Sequence, residues 1–316
     1  MRVVFFGSPA AALPSLEAIL GAGHDVRLVV TQPDRPAGRG RKPTPSAVKA
    51  LALERGIPVI EPARIRADES ALDRVRTAGP EVNVVVAYGQ IIPRAVHALP
   101  PYRSVNVHFS LLPKYRGAAP VQWTVLNGDT EAGVTIIELN DRMDEGDILA
   151  QERVPVGPRE TARTLESRLA ALGADILVAT LARLDAVPRI RQDDAQATLA
   201  PKIRKEDGFV AWTDPAGAID RRVLALADRP GVFTHFKGKR VNIVRGRPVA
   251  PGVRPSPADD GTPGTVLAVG KAGLVVACGE ATAFLVEELQ PEGRGVMSAH
   301  AFSLGARIAP GDRFGA

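Results

Sequence analysis

Asn106, His108 and Asp144 are the residues whose types and spacing suit chemistry. Asn106 and His108 stand two apart in an apolar run with Val105 and Val107, and the two-residue period of a strand puts both polar side chains on one face. An imidazole exchanges a proton near neutral pH, and a carboxamide donates to a developing oxyanion. Asp144 lies in MDEGD, a glycine-containing turn at Met143 to Asp147, where its carboxylate could orient or charge the imidazole. Such a trio suits attack by a neutral amine on an activated acyl carbon, with one group managing protons, one holding negative charge and one tuning the base. No thiol, metal or nucleophilic serine is required, and no metal is expected. Asp147 also flanks Gly146 and could exchange roles with Asp144, and Asp141 is a weaker third choice. The other histidines, His24, His97, His235 and His300, lack such company and read as structural.

The elements that must position these groups follow from periodicity. Short β-branched runs alternate with helical patterns over the first two hundred residues, the signature of a parallel sheet with crossover helices. Strands are expected at Val3 to Phe6, Val26 to Thr31, Pro58 to Ile60, Val82 to Ala87 and Ser104 to His108. Helices are expected near Pro14 to Leu20, Ser46 to Glu54, Ser70 to Ala78 and Val121 to Asn127. Val134 to Leu139 and Ile148 to Val154 form a pair flanking MDEGD, and Thr164 to Leu184 reads as one long helix. The reactive residues then lie at strand ends, where open α/β sheets bind ligands. Residues 1–185 are read as a catalytic domain and the aperiodic, polar 186–206 as a linker. Residues 207–316, with short Gly- and Pro-punctuated segments, are read as a small β-barrel or sandwich.

At 316 residues the chain exceeds ordinary single-domain size, so two domains are the natural expectation. A single cysteine, Cys278, rules out an intrachain disulfide framework and a multi-thiolate zinc site. MRVVFFGSPAAA mimics a signal peptide, but Gly7-Ser8-Pro9 interrupts the apolar run, so a buried first strand is expected. No apolar stretch approaches the ~20 residues of a membrane span, and a cytoplasmic chain without membrane contact is expected. Gly7 stands without the GxGxxG of a dinucleotide fold, which disfavours hydride transfer.

Positive charge is clustered. From Arg229 to Ala258 there is no Asp or Glu, while Arg229, Lys237, Lys239, Arg240, Arg245, Arg247 and Arg254 fall within that window. A polyanionic partner explains this, and so does a solvated basic face. RPAGRGRKP, Arg35 to Pro43, puts Arg35, Arg39, Arg41 and Lys42 on an acid-free, glycine-rich loop that lacks P-loop spacing.

NVHFSLLPKYRGAAP with MDEGD resembles the folate-dependent formyltransferases. FFGSPAAALPSLEAIL, TQPDRPAGRGRKPTPSAVKALA, VVVAYGQIIP and APKIRKEDGFVAWTDPA narrow the resemblance to members acting on methionyl initiator tRNA. It is near-continuous from Arg2 to about Pro215 and looser beyond. The resemblance implies an α/β fold, a Rossmann-like mostly parallel sheet followed by an OB-like barrel, and transfer of formyl from 10-formyltetrahydrofolate to the methionyl amine. It makes Asn106, His108 and Asp144 catalytic, with Asp144 chosen over Asp147. It implies folate contacts at Ser110, Leu111, Leu112 and Pro113, and at Ala87, Tyr88, Gly89 and Ile91 through the backbone. It implies tRNA contacts at Arg35, Arg39, Arg41 and Lys42, and the clustered basic charge adds Lys202, Lys205, Lys237, Lys239 and Arg240 on the C-terminal side as expected tRNA contacts. A monomer is expected. Glycinamide ribonucleotide or an amino-sugar nucleotide is an alternative acceptor, against which the basic loop and the C-terminal domain weigh. In LALADRPGVFTHFKGKR, Leu224 to Arg240, the wording departs from the family at Ala227, Asp228 and Arg229.

Overall fold

The computed structural model describes residues 1–37, 42–250 and 261–315, with the side chains of 35–37, 42 and 43 left aside. Arg39, Arg41, Arg254 and most of the loop expected at Pro255 to Gly264 lie outside the described residues. Two compact units are present: residues 1–121, 130–156 and 164–201, and residues 122–129, 157–163 and 202–316. In chain order the strands and helices of the first stretch are β1 (Arg2–Gly7), α1 (Leu13–Gly21), β2 (Asp25–Val30), β3 (Arg35–Ala37), β4 (Lys42–Thr44), α2 (Ala47–Glu54), β5 (Val59–Ile60), α3 (Glu69–Ala78), β6 (Val82–Val86), α4 (Arg94–His97), β7 (Ser104–His108), β8 (Arg116–Gly117), α5 (Pro120–Asn127), β9 (Glu131–Glu138), β10 (Ile148–Pro155), α6 (Ala162–Leu181) and β11 (Leu199–Ala200).

The first unit is built on a seven-stranded sheet of order β10-β9-β7-β6-β1-β2-β5. From β5 to β7 the strands are parallel, β9 runs antiparallel to β7, and β10 runs antiparallel to β9 and so in the direction of the parallel set. Val3 to Phe6 are wholly buried, as a strand covered on both faces requires. The crossover helices have defined ends: Ser46 caps the start of α2 by accepting from Lys49 N, Asp68 caps the start of α3 by accepting from Ala71 N, and Gly79 ends α3 in the left-handed conformation. From β1 the sheet grows outward through β2 and β5, and the chain then returns to β6 on the other side. This reversal leaves a crevice at the carboxyl ends of the strands. Register aligns Val85 of β6 with Asn106 of β7, so the loop after β6 begins beside the reactive strand end.

The position of α6 determines which face of β7 is free. Gly173 has no side chain where a Cβ would stand 2.8 Å from Val107, 3.3 Å from Val134 and 3.5 Å from Phe109. The helix therefore lies close over the Val107 face, and the alternation of the strand leaves Asn106 and His108 on the other.

Some expectations need correction. The segment 186–206 is not a free linker: as far as Pro201 it belongs to the first unit, Val187, Gln192 and Ala200 are buried, and β11 pairs with β8. Its polar composition hid a ribbon held by hydrogen bonds rather than apolar contacts. Of the basic segment read as a loop, the described ends pair as β3 and β4, with Arg35 paired to Thr44 and Ala37 to Lys42. The division into units is also not one cut, because the inserts 122–129 and 157–163 pack within the second. Arg221 Nε donates to the Leu126 carbonyl at 3.0 Å, and Arg159 grips the Asp220 carboxylate at 2.8 and 2.9 Å and the Gly246 carbonyl at 2.7 Å.

The second unit adds α7 (Ala216–Leu226), β12 (Val232–Phe236), β13 (Lys239–Pro248), β14 (Val266–Gly270), β15 (Gly273–Ala277), β16 (Ala283–Pro291), β17 (Met297–Ser298) and α8 (Ala299–Ala306). Its antiparallel sheet has the order β12-β13-β16-β15-β14, with β17 on β16. The C-terminal segment bridges both edges, Phe314 to Phe236 and Arg313 to Thr265, curling the sheet toward a barrel in the OB-like manner. Among the described residues no helix is long and apolar enough to cross a membrane.

Because Gly173 fixes the seat of α6, Gly173→Leu should cost about 1–3 kcal/mol through overpacking. Gly173→Ala should cost less, since the gain in helix propensity of about 1 kcal/mol offsets part of its two tight contacts, with Val107 and Val134. Urea titrations followed by circular dichroism measure both, and equal midpoints for wild type and the Leu variant would contradict this packing.

Candidate active site

His108 closes β7 with its ring 6% exposed. Its Nε2 lies 2.9 Å from the carbonyl of Tyr115, and a carbonyl only accepts, so Nε2 carries a proton. Nδ1 is then the ring nitrogen with a free lone pair in the neutral form. It faces Oδ1 of Asp144 at 3.8 Å, too far for a direct hydrogen bond but close enough for an ion pair once Nδ1 takes a proton. The other carboxylate oxygen, Oδ2, accepts from Gly117 N at 2.8 Å. Asn106, half-buried one strand repeat away, makes no side-chain hydrogen bond among the described residues. Its carboxamide is therefore available to a ligand, about 7 Å from His108 along the strand.

A layer of buried polar groups holds this arrangement. Gln192, 6% exposed, donates from Nε2 to the carbonyls of both Asp144 and Gly146 at 2.8 Å. Its Oε1 accepts from Arg116 Nε at 3.0 Å and Nη2 at 2.9 Å. Arg116 also donates to Asp194 at 2.7 Å, a bond that holds the Asp194 carboxyl below its ordinary range. One glutamine thus ties the acid turn to the loop that carries the Tyr115 carbonyl. Glycine is required within the turn, since a Cβ on Gly146 would stand 1.6 Å from the Glu138 carbonyl. Asp144 itself has φ of 56°, a left-handed conformation that an L-residue holds only when its surroundings impose it.

These contacts distinguish the three acids. Asp141 pairs with Arg94 at 2.9 Å and His97 at 3.1 Å, and the His97 hydrogen bond is the main cause holding its carboxyl below the ordinary range. Asp147 accepts from Glu138 N through its backbone carbonyl and lines a 280 Å³ polar cavity with Arg142, Glu145 and Arg191. Of the three, only Asp144 faces His108.

The expected folate residues divide into exposed and buried sets. Ala87 (φ 47°) and Gly89 (φ 79°) turn the backbone sharply just past β6, and both are exposed, as is Ile91. Tyr88 between them is a core residue, its ring edge-on to Phe6 at 5.6 Å and its phenol pushed far up by burial. In the second loop Leu111 and Pro113 are half-buried, but Ser110 and Leu112 are buried. Ser110 Oγ donates to the Lys114 carbonyl, Thr135 Oγ1 donates to the Ser110 carbonyl, and Gln151 donates to the Leu112 carbonyl. Ser110 and Leu112 therefore support the loop's shape. In the second unit Lys202, Lys205, Lys237 and Lys239 are exposed and Arg240 half-buried. Sequence reasoning missed Gln192, Arg116, Thr135 and Gln151 as supports. Thr135 did carry a signal, a lone hydroxyl inside the apolar strand GVTII, whereas nothing near Gln192 distinguishes it from a surface residue.

Gln192→Leu should keep the volume but strip two carbonyls and a buried guanidinium of their partner, costing roughly 2–4 kcal/mol and loosening Asp144. We expect the variant to fold and to lose at least tenfold in turnover at saturating substrate. Urea unfolding with steady-state kinetics reads both, and full turnover would show that the acid turn holds itself.

Comparison with known proteins places the chain. The formyl transferase model matches residues 1–181 and the formyl transferase C-terminal domain model residues 202–307. A methionyl-tRNA formyltransferase of Solibacter usitatus is 46% identical over 318 residues, covering 100% of this chain and 99% of its own length. Among solved structures, an N-formyltransferase from Helicobacter canadensis in complex with folinic acid and dTDP-3-aminofucose superposes with a TM-score of 0.64 at 16% identity, covering 92% of this chain and 99% of that one. Methionyl-tRNA formyltransferase from Clostridium thermocellum gives a TM-score of 0.57 at 15% identity, covering 80% and 95%. The two structures show the fold alone, while the relative matched over its whole length and both family models show that the chain belongs to the formyl transferase family, among the methionyl-tRNA formyltransferases.

Proposed function

We propose that this protein transfers the formyl group of 10-formyltetrahydrofolate to the α-amino group of methionyl initiator tRNA, and that Asn106, His108 and Asp144 carry the chemistry. The observation that carries the reading is the open pair on β7: an unengaged carboxamide beside an imidazole whose one free nitrogen faces a carboxylate. When bound, the reduced folate supplies an activated formyl carbon and a nitrogen leaving group. Its ring fits the exposed edge at Ala87, Gly89 and Ile91, where left-handed residues turn peptide groups outward and Ile91 offers an apolar surface. Leu111 and Pro113 provide a second apolar wall.

The chain's own groups then act as follows. Asn106 donates from its amide to the formyl oxygen as negative charge grows there, a role worth a few kcal/mol in comparable sites. His108 holds its place through the Tyr115 carbonyl and exchanges a proton at Nδ1, between the attacking amine and the departing nitrogen. Asp144 supplies the countercharge while the ring is an imidazolium. Its own position is fixed by Gly117 N–H and, through the turn, by Gln192. The first unit, up to about Pro201, serves as the catalytic domain, and the residues from Lys202 onward serve tRNA together with the basic β3–β4 pair. The protein works as a cytoplasmic monomer.

His108→Ala and Asn106→Ala should each cut turnover by roughly 10²-fold or more without loss of the fold. Incubation with labelled donor and, separately, charged initiator tRNA, glycinamide ribonucleotide and an amino-sugar nucleotide should label the tRNA alone. Labelling of either small acceptor, or near-normal turnover by folded His108→Ala, would sink the reading.

Asp144→Asn keeps the Gly117 hydrogen bond but removes the charge opposite Nδ1, so we expect a loss of at least tenfold in turnover. Asp147→Asn should stay within a few-fold of wild type, because its side chain faces the polar cavity. A side-by-side assay with the order reversed would move the role to Asp147.

A further inference from the structure

The outward face of β12 and β13 carries an aromatic cluster that the proposed chemistry does not use. In β12 Val232, Thr234 and Phe236 are buried, while Phe233 and His235 alternate with them on the outer side. The ladder sets Arg240 opposite His235 and Asn242 opposite Phe233, and a single bridge brings Phe209 alongside Phe233. Ring centroids lie 5.6 Å apart for Phe209 and Phe233, 5.9 Å for Phe233 and His235, and 6.2 Å for Phe209 and His235. The Arg240 guanidinium sits 3.8 Å over the Phe233 ring, held there by Nε donating to Asn242 Oδ1 at 2.9 Å. Phe209 remains 39% exposed, so an apolar ring faces water within this arrangement.

Cations outnumber acids around the cluster, where Glu206 and Asp207 just before Phe209 are the nearby acids in sequence. Arg245 pairs with Glu287 and Glu288, and Arg247 with Glu287, so that end of β13 is neutralised. Lys237, Lys239 and Arg240 have no acidic partner among the described residues, and exposed Lys202 and Lys205 precede Phe209. Cations without acidic partners beside a partly exposed ring cluster select a partner that is both polyanionic and flat-faced. An acidic protein surface would engage the lysines but leave the rings unexplained, and a duplex hides its base faces. Unpaired nucleotides satisfy both features, by stacking on aromatic rings and on guanidinium planes.

We propose that Phe209, His235 and the Phe233–Arg240 stack form a platform for unpaired bases of the tRNA, with Lys237 and Lys239 on the adjoining phosphates. This rests on the reading of tRNA as the acceptor. Affinity here then has a salt-independent stacking part and a salt-dependent phosphate part, contributed by different residues.

The test is fluorescence anisotropy of the full-length protein over a salt series. The probes are labelled initiator tRNA, a single-stranded RNA and a duplex RNA of equal length, with a polyphosphate chain as competitor. Phe209→Leu combined with His235→Leu keeps comparable side-chain bulk but removes two of the three rings, leaving only the Phe233–Arg240 stack. It should weaken tRNA and single-strand binding about tenfold, leave duplex binding unchanged and leave the slope of log K against log salt unchanged. Lys237→Gln with Lys239→Gln should flatten that slope by about 1.5, from two lost phosphate contacts. Phe209→Trp should bind at least as tightly as wild type. Wild-type single-strand affinity in the folded Leu variant overturns the platform and leaves the acceptor reading standing. Equal losses on single strand and duplex also overturn it, as general damage to the face. If polyphosphate displaces tRNA from wild type as readily as unlabelled tRNA does, the acceptor reading fails and the platform falls with it.

Discussion

The hydrogen bond from His108 Nε2 to the Tyr115 carbonyl is the constraint on which the site depends. It fixes the neutral tautomer and turns the remaining nitrogen toward Asp144. That carbonyl in turn depends on distant chain. Tyr115 has φ of 69°, and its N–H donates to Thr198 Oγ1 at 2.9 Å, while Arg116 N donates to the Thr198 carbonyl at 2.8 Å. Gly117 packs so closely on Ala200 that a Cβ would stand 2.5 Å from its carbonyl oxygen. The ribbon of residues 192–200 is therefore the mould for the loop and, through Gln192, for the acid turn. Ala87, Tyr115 and Asp144 all hold left-handed conformations, which cost of order 1 kcal/mol or more each and persist because their surroundings over-determine them.

The fold was legible where burial imposes a period. β7 stands at the expected residues, and α1, α2, α3, α5 and α6 fall within three residues of their sequence bounds, because parallel strands buried on both faces and amphipathic crossovers leave strong signals. What escaped was held by hydrogen bonds or lay in short elements. The ribbon after α6, the β3–β4 pair and the one-turn α4 lack enough apolar residues to show a period. The same division holds at the site. Asn106 and His108 were readable as a polar pair on an apolar strand, and the glycine turn pointed to Asp144. Gln192 is separated from Asp144 by the strand β10 and the long helix α6, and nothing local records that they meet.

The basic window shows how a linear pattern misleads in three dimensions. Residues 229–258 contain no acid, yet Glu287 and Glu288 of β16 arrive from the neighbouring strand to pair with Arg245 and Arg247. Antiparallel register thus concentrates the uncompensated charge at the turn between β12 and β13. That is also where β12 presents its alternating aromatic side chains, so charge and ring surface coincide only after folding.

The central claim concerns one proton position, and nitrogen-15 NMR of the histidine rings reads it directly. With labelled histidine and His108→Ala to assign the signal, the neutral His108 ring should show its proton on Nε2, with Nδ1 bare and changing as the ring takes a proton. A neutral ring protonated at Nδ1 would mean that the Tyr115 carbonyl does not hold the imidazole, and the proton path assigned to Nδ1 and Asp144 would be wrong.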